Sequence, residues 1–312
     1  MPRPSPAVSA LLLALAIGVG VVGASLGLWN PSPALVEVAA WLLLPFFILI
    51  GIELRGEFSG DRKLLRGLVA PALSALLGGL LPALVVLGFG SSVSAAWPIP
   101  VATDLTLALA VFSLATKSVS NQWRTYLLAF AVFDDIFGIL ALNVSKPGLS
   151  PSLLGVAIGL IISPRGFANR LEGLLAMPLN YLIVPTFGLV ASAVSINAPI
   201  LGALFAAVAL RPAAKLIGIS SGYAIARLLR LQSRQRHELT WVASLGVLGG
   251  IGFVVSFAAA NQVFSGHAQQ AAEAKLATLF AALVSALVGF VLTKRAVRLG
   301  SAGHSSDARD GA

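Results

Sequence analysis

Residues 128–140 read Leu128-Ala-Phe-Ala-Val-Phe-Asp134-Asp135-Ile-Phe-Gly-Ile-Leu140. Two adjacent aspartates stand in the middle of an apolar run that extends over about 122–143, the length a membrane-spanning helix needs. A charge at the centre of such a span costs about 2.5–3.5 kcal/mol on insertion scales and marks a functional site by default. Neighbours on an α-helix point about 100° apart. Asp134 and Asp135 therefore face different surroundings and are expected to do different work. Two carboxylates this close in a low dielectric cannot both carry charge cheaply. Such a pair suits competition between a proton and a hard cation, whose preferred ligands are oxygens. The plainer alternative is that both are structural, each paired with a Lys or Arg.

The rest of the chain agrees with a membrane setting. Of 312 residues, 57% are hydrophobic and only 11% charged, against roughly 25% charged in soluble domains. This predicts an all-α polytopic membrane protein with one transmembrane domain over 1–298 and a polar, disordered tail over 299–312. Ten spans are expected, at about 8–28, 34–54, 67–90, 96–116, 122–143, 150–164, 175–196, 201–229, 240–262 and 273–294. With both termini placed in the cytoplasm, seventeen Lys and Arg fall inside and two, Lys146 and Lys275, outside, while Arg211 and Lys215 lie within a span. That asymmetry supports both the map and a multi-pass orientation with both termini inside. The net charge of +9 is thus topological and does not point to nucleic acid. The absence of cysteine excludes disulfides and thiolate sites. The three histidines, in loops or the tail, make a His-based zinc site improbable.

Ten spans divide into five and five, an odd number per half, which turns the second half upside down. Inverted repeats of this kind place a transporter's site at the midplane. The expected units cover about 67–143 and 201–294. Each contains a breakable span. In one, Pro98 and Pro100 precede Thr103-Asp104 and remove backbone donors. In the other, Gly246-Val-Leu-Gly249-Gly250-Ile-Gly252 is glycine-rich. Two interrupted helices at corresponding positions point to a binding site, with Asp104 placed to neutralise positive half-helix ends. Lys215 is the natural partner of one member of the Asp134–Asp135 pair, either as a proton carrier or in a static salt bridge. Arg211, one turn away, stays charged at any accessible pH. Glu53 and Glu57 close the second span beside Arg55, either sensing pH at a funnel mouth or capping a solvated helix end.

At these positions the sequence resembles the NhaA family of bacterial sodium/proton antiporters. The resemblance is carried by Gly51-Ile-Glu-Leu-Arg-Gly-Glu57, Ile99-Pro-Val-Ala-Thr-Asp104, Ala131-Val-Phe-Asp-Asp135, Arg170-Leu-Glu172, Lys215-Leu-Ile-Gly-Ile-Ser220 and Gly246-Val-Leu-Gly-Gly-Ile-Gly-Phe253. The family is itself an example of inverted-repeat architecture. The resemblance implies a non-enzymatic antiporter without a cofactor, moving Na+ or Li+ outward against two inward protons in pH and sodium homeostasis. Asp135 would be the main carboxylate for cation and proton. Asp134 would share the site and pair with Lys215, and Asp104 with Thr103 would sit at the helix crossing. Glu57 and Glu172, with Glu53 as a further candidate, would belong to the cytoplasmic pH response. The implied partners are Na+, Li+, H+ and membrane lipid, with a homodimer left open.

The chain also departs from the family pattern. The segment 139–150 replaces roughly two spans, a hairpin whose loss preserves orientation. Ala39-Ala40 stand where the family has Asn-Asp, Gly56 where it has Arg, and a pH-responsive histidine would fall near Ser150. Rival readings are a degenerate, non-transporting member, an organic-anion transporter on the same architecture, and an intramembrane enzyme. A protease built on Asp104 and Asp134 would leave Lys215 unexplained, and a diphosphate enzyme lacks the further acidic residue it needs.

Overall fold

A computed structural model of the chain describes residues 6–58, 62–116, 122–145, 147, 151–162, 165–195, 202–231 and 238–307. It is helical throughout, with no strand among the described residues. Helix α1 spans Pro6–Ser25 and α2 spans Pro33–Trp41, opened by Ser32, whose Oγ accepts from Leu35 N. Helix α3, Leu44–Phe58, completes the second span after a two-residue turn. Pro45 causes that break, because it has no N–H to offer the preceding turn. Helix α4, Arg62–Gly88, runs unbroken over 27 residues, and α5, Leu105–Thr116, is the second half of span four. Then follow α6, Gln122–Ser145, and α7, Pro151–Ile161.

The seventh span begins earlier than its hydropathy suggests. Helix α8, Arg165–Pro178, leads through a π-helical turn, Leu179–Ile183, into α9, Val184–Ala191. Pro178 and Pro185 bracket the turn and remove two donors, so the ladder widens there. Helix α10, Ala203–Ala209, passes into α11, Arg211–Leu228, with Pro212 in the first turn. Helices α12, Glu238–Leu248, and α13, Val254–Val263, form the broken ninth span. The last helix, α14, covers Ala268–Asp307 and so continues into the stretch read as a disordered tail from 299.

Among the described residues, seven helical stretches are long and apolar enough to cross a membrane. The other three expected spans are the two broken ones and α7. With 11 residues, α7 is only about 16 Å long, short of a bilayer's hydrocarbon core of about 30 Å. It is held against α3 through glycines. A Cβ on Gly155 would meet Phe47 and the Leu44 carbonyl, and one on Gly159 would meet the Ile48 carbonyl and Gly51. Arg55 Nη1 donates to Leu160 O at 2.6 Å, satisfying a carbonyl that the helix end leaves open.

The packing is inside-out relative to a soluble protein. Leu76, Leu80, Leu84 and Leu87 form an exposed stripe on α4, as do Leu283, Leu287 and Val291 on α14. Charged side chains lie in the centre instead. Asp134 and Lys215 have no exposure, and Arg211 is 1% exposed. Helices α4 and α11 make the closest long contact. Gly218 lies against the Leu77 carbonyl and Gly222 against Leu73 O and Ser74, so the backbones touch, a small-residue interface of the kind membrane helices use. At one end, Trp123 stacks on Trp241 with centroids 6.0 Å apart, beside Tyr126 and Tyr223. The Tyr126 hydroxyl, 2.7 Å from Ser74 Oγ, also donates to Ala70 O. This cluster fixes α4, α6, α11 and α12 around the carboxylates of α6.

Candidate functional site

Two interruptions meet at the centre. In span four, residues 102–104 leave the helical path before α5, and in span nine residues 251–253 do so between α12 and α13. Asp104 N donates to Ile251 O at 2.8 Å, and Thr103 Oγ1 donates to Gly249 O at 2.7 Å. The two interrupted segments therefore satisfy each other's backbone groups, the condition for tolerating irregular chain at membrane depth. Asp104 also opens α5, its Oδ1 accepting from Leu107 N at 3.1 Å. A carboxylate here lies at the positive end of the half-helix.

The two aspartates of α6 do separate. Asp134 faces Lys215, whose Nζ is 2.5 Å from Asp134 Oδ1. The same Nζ donates to Thr103 Oγ1 at 3.2 Å and lies 5.8 Å from the centre of the Phe130 ring. Asp135 turns the other way, into a cavity of about 160 Å³ that it lines with Thr103, Asp104 and Asn180, beside Phe46 and Val254. Gly138, one turn along α6, lies against Ala102, where a Cβ would collide. That contact presses α6 onto the interrupted segment and brings Asp135 to the crossing. Among the described residues no three His, Cys, Asp or Glu side chains gather as for a resident metal. The oxygens around the small cavity are mixed in kind: carboxylate, hydroxyl and amide.

The sequence of the chain then meets its relatives. The profile of the family described as Na+/H+ antiporter 1 matches residues 19–145 and 141–293, nearly the whole chain. The chain belongs to the NhaA family of Na+/H+ antiporters. An antiporter named NhaA 2 from Flavobacterium johnsoniae is 28% identical over 85% of this chain and 80% of its own length. Another NhaA 2, from Clavibacter michiganensis subsp. michiganensis, is 29% identical over 87% and 82%. An NhaA from Salmonella arizonae is 29% identical over 80% of each. The alignment to the Flavobacterium NhaA spans 330 residues, more than this chain contains, so that NhaA carries sequence without a counterpart here. The two parts of the family match meet at 141–145, inside the segment where the sequence reading locates a missing hairpin.

Against the NhaA resemblance, the structure brings Thr103, Asp104, Asp134, Asp135 and Lys215 together at one crossing. It does not bring Glu53, Glu57 or Glu172 into view: they lie on α3 and α8, with side chains outside the described ones. Two participants were not singled out as site residues. Asn180 reaches the cavity from the π-helical turn, with Nδ2 held by Ala176 O at 2.8 Å. An asparagine inside an apolar run next to Pro178 was the available signal. Arg211, noted only as a buried charge, lies against Gly252 in the interrupted segment, where any Cβ would strike its guanidinium. Its Nη1 donates to Ser256 Oγ at 2.8 Å. A larger cavity of about 970 Å³, lined by Glu37, Asn261 and Lys275 among others, is separate, and none of the three central aspartates lines it.

Proposed function

We propose that this protein exchanges cytoplasmic Na+ or Li+ for external protons across a bacterial inner membrane, in pH and sodium homeostasis, with both termini in the cytoplasm. The observation that carries the reading is the division of labour within the Asp134–Asp135 pair. Asp134 is neutralised by Lys215, whereas Asp135 lines a small cavity with other oxygen donors. A carboxylate so placed binds a proton or a hard cation, but not both, which is the chemical basis of exchange. Asp104, Thr103 and Asn180 supply further oxygens to the cargo ion. Lys215 keeps Asp134 from competing for it and holds Thr103 at the crossing.

The order of a long helix, a broken span and a long helix occurs twice, in 67–143 and in 201–294. This supports inverted repeats, with alternating access by movement of one unit against the other around the fixed crossing. Glu53, Glu57 and Glu172 are proposed as the cytoplasmic pH-responsive group. Neither a cofactor nor catalysis of a covalent step enters this scheme. A non-transporting member is the second reading, favoured by the shortness of α7 and by the two-part family match.

Everted vesicles from an antiporter-deficient host decide between them. With a proton gradient established, Na+ or Li+ is added and a pH-sensitive dye is followed over a pH series. Cation-dependent dequenching that disappears in Asp135→Asn is the expected result. A well-inserted protein giving no response at any pH would leave the non-transporting reading.

A further inference from the structure

The small cavity of Asp135 lies on a seam between two groups of helices: α4 to α6 with α10 to α14, and α1 to α3 with α7 to α9. Among the described residues, every glycine at which a Cβ would come nearer than 3.0 Å to another atom meets a partner in its own group. In the first group Gly218 and Gly222 join α11 to α4, Gly289 joins α14 to α12, and Gly138 joins α6 to Ala102. In the second, Gly155 and Gly159 join α7 to α3, Gly20 of α1 meets Leu189 O of α9, and Gly188 of α9 meets Leu13 of α1. Across the seam the packing is between side chains, as where Phe187 meets Phe253 with ring centroids 6.3 Å apart. Helices whose backbones touch move together, whereas a side-chain seam is where packed elements slide.

Asn180 stands across this seam from Asp135. Of the polar side chains that line the cavity, Thr103, Asp104 and Asp135 belong to the first group and Asn180 to the second. Asn180 Nδ2 donates to Ala176 O at 2.8 Å. A carbonyl only accepts, which fixes the amide nitrogen on that side and turns Oδ1 away from it. A neutral amide oxygen is a ligand for a hard cation, yet it does not hold a proton as a carboxylate does.

The arrangement is closed to the outside. The larger cavity is bordered by Asn30, Ser195 and Ser265, at span ends that the charge asymmetry places outside. On two helices that both cavities touch, the smaller one lies farther from that end: at Val184 against Val190 on α9, and at Val254 against Ala258 on α13. Phe187 and Phe257, neither with any exposure, stand between those positions.

We infer that Asn180 is a one-sided ligand for the cation. Its Oδ1 joins Asp135 in holding the ion while the site is closed to the outside. When the seam opens and the carboxylates face outward, Asn180 stays behind with α8 and α9. A cytoplasmic ion is thus held more tightly than an external one at the same carboxylate, which suits capture inside and release outside. This rests on the exchange reading and the orientation given above.

The test measures both faces of the same protein. Everted and right-side-out vesicles from an antiporter-deficient host are given the same interior-acid gradient, and uptake of radioactive Na+ is followed over a concentration series. The added ion meets the cytoplasmic face in the first and the external face in the second. Asn180→Ala is expected to raise KM about tenfold in everted vesicles and to leave it within about twofold of wild type in right-side-out vesicles. Vmax in everted vesicles is expected not to fall, because the lost contact stabilised the loaded state on that face and not the crossing. Equal rises on both faces would overturn the one-sidedness, and a rise confined to the external face would overturn the assigned face. No change on either face would remove Asn180 as a ligand. Absence of proton-driven uptake by the wild type would overturn the exchange reading, and this inference with it. Should the alanine variant fail to insert, Asn180→Ser, which keeps an oxygen on the turn, is expected to give a smaller rise, again on the cytoplasmic face alone.

Discussion

Lys215 Nζ stands 2.5 Å from Asp134 Oδ1 although the residues are 81 positions apart, and neither side chain has any exposure. Breaking a buried pair from one side strands the other charge, at about 3–5 kcal/mol. Lys215→Ala is therefore expected to lower the melting temperature in detergent markedly. Adding Asp134→Asn removes the stranded charge and should restore part of the loss. A double variant no more stable than Lys215→Ala would show that the pair is not what holds α6 to α11.

Asn180 enters the cavity of Asp135 from the π-helical turn. Asn180→Leu removes an amide without changing side-chain length greatly. The expected outcome is a rise of about tenfold in KM for the cation, roughly 1.4 kcal/mol of lost binding, with the melting temperature nearly unchanged. Dye-based assays in everted vesicles over a range of Na+ concentrations measure this. An unchanged KM would remove Asn180 from the ion's surroundings.

Gly222 lies against Leu73 O and Ser74 of α4. A valine there cannot be accommodated by a side-chain shift, because its obstacles are backbone atoms. Gly222→Val should part α4 from α11 and destabilise the protein by 1–3 kcal/mol or more, as overpacking of a close contact does. The Ser74–Tyr126 hydrogen bond lies at the same contact, and Trp123 packs on Tyr126 with centroids 6.1 Å apart, so tryptophan fluorescence should report the same transition. Gly173, which has open space at its Cβ, is the matched control: Gly173→Ala should leave the melting temperature within about 0.5 kcal/mol of wild type.

Much of the architecture was legible in one dimension because its determinants are local. Hydropathy delimits spans without reference to neighbours, and prolines break helices wherever they stand. Pro98 and Pro100 thus announced the interrupted fourth span and the glycines after Leu248 the ninth. The readings that shifted were also local but weaker. Pro45 splits span two into α2 and α3, and the polar opening of α8 continues as helix beyond the apolar window that defined the seventh span. The end of α14 passes Leu299 because polar residues do not themselves stop a helix that is already propagating.

What the sequence by itself determined, then, was a membrane chain with charges at its centre and two weak points in its helices. It offered Lys215 a choice between Asp134 and Asp135. Only the tertiary structure made that choice, because side chains 100° apart on α6 meet different neighbours once α4, α11 and the crossing are packed. It also joined Thr103 to Lys215 across 112 positions, carried Asn180 into the cavity, and set Arg211 against Gly252. These relationships depend on which backbones approach closely enough to touch, and close approach is a property of the packed helices, not of any one of them.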